Sequence, residues 1–150
     1  AALAAQSEQQ GLAGHVQVLP RVPKAVAARY TAAAAVLVSP RSHGSNTPLK
    51  IYEQLASGVP LVATSILSHT QVLDQDVAFL VEPEPQAMAD GLTTALLDDA
   101  ARERVAANAR RLYETAYARP VYERKMRAML DLVGADIRVG QHTLATHGQA

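Results

Sequence analysis

Short apolar runs alternate along this chain with segments of helical period. The opening segment AALAAQSEQQGLAG reads as the end of a helix that stops at Gly11 or Gly14. HVQVLP at 15–20 reads as a strand, and residues 24–34, introduced by Pro23, read as a helix. AVLVSP at 35–40 is a second strand, stopped by Pro40. Residues 48–57 form a helix that ends at Gly58, with Pro60 just beyond. LVAT at 61–64 is a third strand, SHTQVL at 68–73 a short helix at most, and VAFLVEP at 77–83 a fourth strand. Residues 85–98, 99–117 and 120–133 read as three successive helices, the last restarted by Pro120. From Gly134 to Ala150 the chain turns polar and reads as a flexible tail.

Strands that are apolar throughout and separated by helices specify a parallel sheet covered on both faces. The predicted fold class is therefore α/β, a doubly wound, Rossmann-like sheet spanning residues 1–133. Such sheets take ligands at the carboxyl ends of their strands. The loops 21–23, 41–46 and 65–70 fall at those ends.

At 150 residues the chain is long enough for one domain with a real core. Its 49% of hydrophobic residues are mostly Ala, Val and Leu, with one Phe and no Trp, which suits close packing of helices on a sheet. No apolar run approaches the roughly 20 residues needed to span a bilayer. The absence of cysteine excludes disulfides and thiol catalysis and permits a cytoplasmic address. The formal net charge of zero argues against a nucleic-acid binder acting through bulk charge. Charge is unevenly spread, however. Between Lys50 and Arg102 there are eight acidic residues and no Lys or Arg, whereas Arg102 to Arg127 holds eight basic and three acidic ones. Solvated helix faces explain this. A sharper reading is a weak contact of the last helices with an anionic membrane surface.

The densest candidate chemistry lies in PRSHGSNTPLKIYEQLASG, from Pro40 to Gly58. Thr47 is a good N-cap, and Pro48 suits the first helical position because no N–H is needed there. Gly44, Ser45 and Asn46 leave the preceding backbone uncluttered. The amides of Leu49 and Lys50 point out of the helix end, where a diphosphate fits, with Lys50 or Arg41 adding positive charge. An ordinary capped βα turn fits the same residues. Glu53 borders an apolar arc of Leu49, Ile51, Tyr52, Leu55 and Ala56. It reads equally as a solvated boundary residue and as a carboxylate that accepts two ribose hydroxyls.

Other constellations are weaker. The five His residues (His15, His43, His69, His142, His147) lack metal-ligand spacing. His43 and His69 fall on candidate ligand-facing loops, where a plain loop histidine is the default. Ser42, Ser45 and Ser57 lack a nucleophile elbow. Neither a dinucleotide-binding nor a P-loop glycine motif is present.

Taken with its flanks, NTPLKIYEQLASGVPLVAT resembles the E-x7-E region of retaining glycosyltransferases of the GT-B type, family 4 or group 1. RVPKAVAARYTAAAAVLVSPR upstream and SHTQVLDQDVAFLVEPEPQAMADGL downstream are similar to the family's flanking segments, so the likeness runs over roughly residues 12 to 133. The resemblance implies the donor-binding, C-terminal half of a GT-B enzyme that moves a hexosyl group from a nucleotide-diphosphate sugar with retention. Glu53 takes the place of the family's second Glu, which holds the ribose. Ser45 takes the place of the first Glu, which touches the donor sugar, so a hydroxyl replaces a carboxylate there. Asn46, Thr47, Pro48 and Leu49, with Gly44 and Lys50 beside them, fall where the family's loop meets sugar and phosphates. Arg21 and Val22 fall near its contacts with the base. The Arg and Lys that clamp the diphosphate in the family, and its N-terminal acceptor domain, have no counterpart in this sequence.

The donor is then a substrate, and neither a cofactor nor a metal is expected. The expected address is cytoplasmic, with a peripheral contact at the inner face of the membrane as its extension. The chain opens Ala1-Ala2-Leu3 with no Met, and a fragment that binds donor weakly and does not catalyse transfer is the simplest expectation. The alternatives are a non-catalytic α/β nucleotide-binding or regulatory module and a nucleotide-sugar epimerase of the same fold. A receiver-like module needs acidic residues at its strand ends, whereas these strands end in Pro20, Pro40, Thr64 and Pro83.

Overall fold

The computed structural model describes residues 2–147, in two compact units that divide between Ala33 and Ala34. The first unit holds α1 (Ala2–Gln9) and α2 (Lys24–Ala33). The strand expected at 15–20 does not form, and only an isolated bridge joins Ala13 to Val16. A strand exists only where a neighbour completes its ladder of hydrogen bonds. Within this unit, α1 and α2 offer none.

The second unit contains β1 (Leu37–Ser39), α3 (Leu49–Ser57), β2 (Leu61–Thr64), α4 (Leu67–Thr70), β3 (Phe79–Val81), α5 (Pro85–Leu97), α6 (Asp99–Leu112) and α7 (Arg119–His147). The strands form one parallel sheet in the order β1-β2-β3. Parallel neighbours cannot be joined by a tight turn, and here α3 and α4 make the crossovers. All four residues of β2 are buried, as a central strand covered on both faces requires. Leu61 and Ala63 face a cluster with Ile51 and Leu55 of α3, Ala109 of α6, and Leu73, Val77 and Ala78. Val62 turns the other way, onto Gly91 of α5. The α/β fold with helices on both faces of a Rossmann-like sheet is therefore as expected.

The helix ends follow local chemistry. Gly58 closes α3 at φ 71°, in the left-handed region that glycine enters freely. Asp98 serves two helices at once: its amide donates to Thr94 O at 2.9 Å, and its Oδ1 accepts from the Ala101 amide at 2.9 Å. The helix expected over 99–117 changes pitch, becoming a π-helical turn at Tyr113–Tyr117 closed by Ala118 N donating to Tyr113 O at 2.8 Å. That turn sets Tyr117 against Tyr52, with ring centroids 4.8 Å apart. The last helix does not stop at 133. It continues through Gly134 to His147 in place of the expected tail. Gly134 and Gly140 each lower helix propensity by about 1 kcal/mol without blocking a helix.

A buried imidazole fastens the sheet's carboxyl edge. His69 of α4 is fully buried. Its Nδ1 lies 2.8 Å from Thr64 O, and its Nε2 lies 2.9 Å from Ser39 Oγ. A carbonyl only accepts, so Nδ1 carries the hydrogen and Nε2 accepts from the Ser39 hydroxyl. The Thr64 hydroxyl in turn donates to Arg41 O at 2.6 Å. One ring thus ties the last residue of β1 to the last residue of β2 and, through Thr64, to the first residue after Pro40.

Two stability outcomes follow. His69→Ala empties a packed site and strands the Ser39 and Thr64 partners, so denaturant unfolding should show a loss of about 2–4 kcal/mol. Gly91→Ala should also destabilise, although alanine ordinarily gains about 0.5–1 kcal/mol over glycine in a helix. A Cβ at Gly91 would lie 2.6 Å from Val81 Cγ1 and 3.2 Å from Val62 Cγ1. Overpacking of this kind costs typically about 1–3 kcal/mol. Adding Val81→Ala to Gly91→Ala should return part of the lost melting temperature, and a stabilised Gly91→Ala single variant would contradict the close contact.

Candidate functional site

The loop from Pro40 to Pro48 leaves the carboxyl end of β1 and is held by the side chains of Arg41 and Gln71. Arg41 donates from Nη1 to Asn46 O at 3.3 Å, closing the loop on itself. Gln71, just past α4, donates from Nε2 to Ser45 O at 3.0 Å and accepts from Thr47 Oγ1 at 2.8 Å. Below the loop lies Ser68, fully buried, with no hydrogen-bond partner for its hydroxyl among the described residues. Gly44 sits at φ 141°, and a Cβ there would come within 2.8 Å of Arg41 Nη2 and 3.5 Å of Ser68 Oγ. The backbone angle favours glycine, and the flexible Arg41 guanidinium packs across the space a Cβ would take.

The loop feeds α3 one residue later than the sequence suggests. Pro48 is the N-cap, with ψ 133°, and no side chain caps the helix. Thr47, expected as the cap, gives its hydroxyl to Gln71 instead, because the Gln71 carboxamide stands within reach. The amides of Leu49 and Lys50 are the first of α3, and a helix leaves its first N–H groups for an external acceptor. They carry the positive end of the helix dipole. Leu49 is 84% exposed, so it does not join the apolar arc expected of it. The buried stripe of α3 is instead Ile51, Gln54 and Leu55.

Charge around this end is positive. Arg41 and Lys50 are exposed, and neither is paired with a carboxylate among the described residues. Glu53 is exposed one turn into α3. The structure thus brings Gly44, Ser45, Asn46, Thr47, Pro48, Leu49, Lys50 and Glu53 onto one loop and helix. Arg21 and Val22 belong to the first unit, in the irregular segment before α2. His43 lies on the exposed part of the loop with its Nδ1 2.9 Å from Ser42 Oγ. His69 is no loop histidine but the buried fastening described above. A surface groove lined by Pro120, Glu123, Arg124, Arg127 and Asp131 belongs to α7 alone and carries both signs of charge.

Of the groups that support the loop, Gln71, Ser68 and Ser39 are not among the candidates offered by the sequence. Ser39 and Thr64 are polar residues closing apolar strands, and Ser68-His69-Thr70-Gln71 is a polar run directly after the strand at 61–64. Polar side chains at the ends of buried parallel strands are the signal that would have found them, since buried polar groups need partners.

The arrangement has known relatives. The family model described as "Glycosyl transferases group 1" matches residues 1–112. A phosphatidyl-myo-inositol mannosyltransferase of Mycobacterium leprae is 35% identical over 104 residues, covering 68% of this chain and 28% of the relative. The chain thus spans well under half the length of that protein. Among solved structures, HepE from Anabaena in complex with UDP superposes with a TM-score of 0.77 at 20% identity, over 86% of this chain and 35% of the other. The C-terminal domain of a glycosyl transferase group 1 family protein (LpcC) from Francisella tularensis superposes with a TM-score of 0.63 at 23% identity, over 78% of this chain and 61% of that one. The structural likeness bears on the fold, and the family match bears on descent: the chain belongs to the group 1 glycosyl transferases.

Proposed function

We propose that this chain is the C-terminal, donor-binding part of a retaining family 4 glycosyltransferase, and that the loop 41–48 with the start of α3 receives the diphosphate of a nucleotide sugar. The observation that carries this reading is the exposed, positively charged helix start at the carboxyl end of β1, where Arg41 and Lys50, neither paired with a carboxylate among the described residues, flank the first amides of α3. The likeness to HepE, solved with UDP, and to the C-terminal domain of LpcC supports it.

In this reading charge builds on the leaving diphosphate as the glycosidic bond breaks. Amides and the helix dipole are already oriented to meet it, so stabilisation requires little reorganisation at the moment of reaction. The cationic side chains add to it, without a metal ion. Glu53 accepts the ribose hydroxyls and fixes the register of the anomeric carbon against the loop. Ser45, in place of a carboxylate, offers the donor sugar a neutral hydroxyl. In such an enzyme the acceptor site lies in the N-terminal domain, and the Arg and Lys that complete the diphosphate clamp lie earlier in the donor-binding domain.

Calorimetric titration tests this directly. Uridine, guanosine and adenosine diphosphates are compared with their parent nucleosides, and one diphosphate should bind roughly tenfold or more tightly than its nucleoside, since charge-assisted hydrogen bonds to phosphate are the strong ones. No preference for the diphosphate would return the loop to an ordinary turn. Glu53→Ala should weaken that nucleotide about tenfold, the worth of a hydrogen bond to a charged group, with the melting temperature unchanged. Affinity equal to wild type would make Glu53 a solvated boundary residue.

A further inference from the structure

We propose that Gln71 is a positioning residue for the donor, holding the segment Ser45–Thr47 so that the amides of Asn46 and Thr47 present themselves to the diphosphate; this rests on the donor-binding reading above. The carboxamide grips both ends of that segment: Nε2 on Ser45 O at 3.0 Å and Oε1 from Thr47 Oγ1 at 2.8 Å. The Ser45 carbonyl only accepts, so the amide nitrogen must face it and the fork has a single workable orientation.

Planar geometry then sets the rest. The peptide bonds here are all trans. In a trans unit the carbonyl and the following N–H point to opposite sides. Gln71 draws the Ser45 carbonyl toward itself, which turns the Asn46 N–H away from it. Arg41 does the same to the Asn46 carbonyl at 3.3 Å, which turns away the Thr47 N–H. Neither N–H has a partner among the described residues. Two satisfied carbonyls and two open donors in succession make a seat for an anion.

Burial does not explain the fork. Gln71 is exposed, and among the described residues its side-chain hydrogen bonds go only to the loop. Three residues earlier, the same segment places the buried Ser68 hydroxyl, unpartnered among the described residues, under Gly44. The stretch 68–71 is therefore the floor on which the donor loop rests. Without the fork the loop would be ordered only on binding, and that ordering would be subtracted from affinity.

Gln71→Met keeps the length and packing of the side chain and removes both hydrogen bonds. Thr47→Val removes one. The full chain and both variants are titrated with uridine and guanosine diphosphates and with the parent nucleosides, with melting temperature recorded alongside. Expected are roughly tenfold weaker diphosphate binding for Gln71→Met and about threefold for Thr47→Val, as for two and one neutral hydrogen bonds. Nucleoside binding and melting temperature should hold. Diphosphate affinity equal to wild type in Gln71→Met would overturn the positioning role while leaving the donor site standing. So would a loss of affinity accompanied by an equal loss for the nucleosides or by a lowered melting temperature. If the wild-type chain binds neither diphosphate, the donor-binding reading fails and this inference fails with it.

Discussion

The hydrogen bonds of one buried ring set the geometry on which the candidate site is carried. His69 fixes the ends of β1 and β2 to each other, and Thr64 passes that constraint to the backbone of Arg41. The loop 41–48 therefore leaves from a defined point and direction. A loop anchored only by its strand would have many exits. Here a polar chain inside an apolar layer selects one, and its strength comes from the cost of leaving any member unpaired away from water.

Most of the fold was legible because the sheet is buried on both faces. Apolar runs such as LVAT at 61–64, set between helical segments and stopped by Pro or Gly, leave few alternatives. The failures share a cause. HVQVLP at 15–20 has the composition of a strand, but strand formation is decided by a neighbour, and periodicity carries no information about neighbours. Likewise 134–147 has a polar composition that reads as a tail, yet contains no residue that forbids a helix already running.

The site was legible in its backbone and not in its supports. The residues from Gly44 to Glu53 are contiguous, so their spacing reads directly as a turn into a helix. Gln71 and Ser68 reach the same loop from more than twenty residues away, as the pairs Gln71–Ser45 and Gly44–Ser68 show. No local pattern encodes that meeting. Thr47 shows the same limit in miniature: its propensity favours a cap, and a partner distant in sequence outbids the helix for its hydroxyl.

The notch at Gly91 carries a consequence for how this sequence can drift. The helix α5 lies so close to the sheet that Val81 and Val62 occupy the volume a side chain would need. Positions 62, 81 and 91 therefore share one fixed volume. A lineage that enlarges residue 91 must first shrink a neighbour on the sheet, and the order of those steps matters, because the reverse order passes through an overpacked intermediate. The three positions behave as a single heritable character, although they lie on three different elements of the chain.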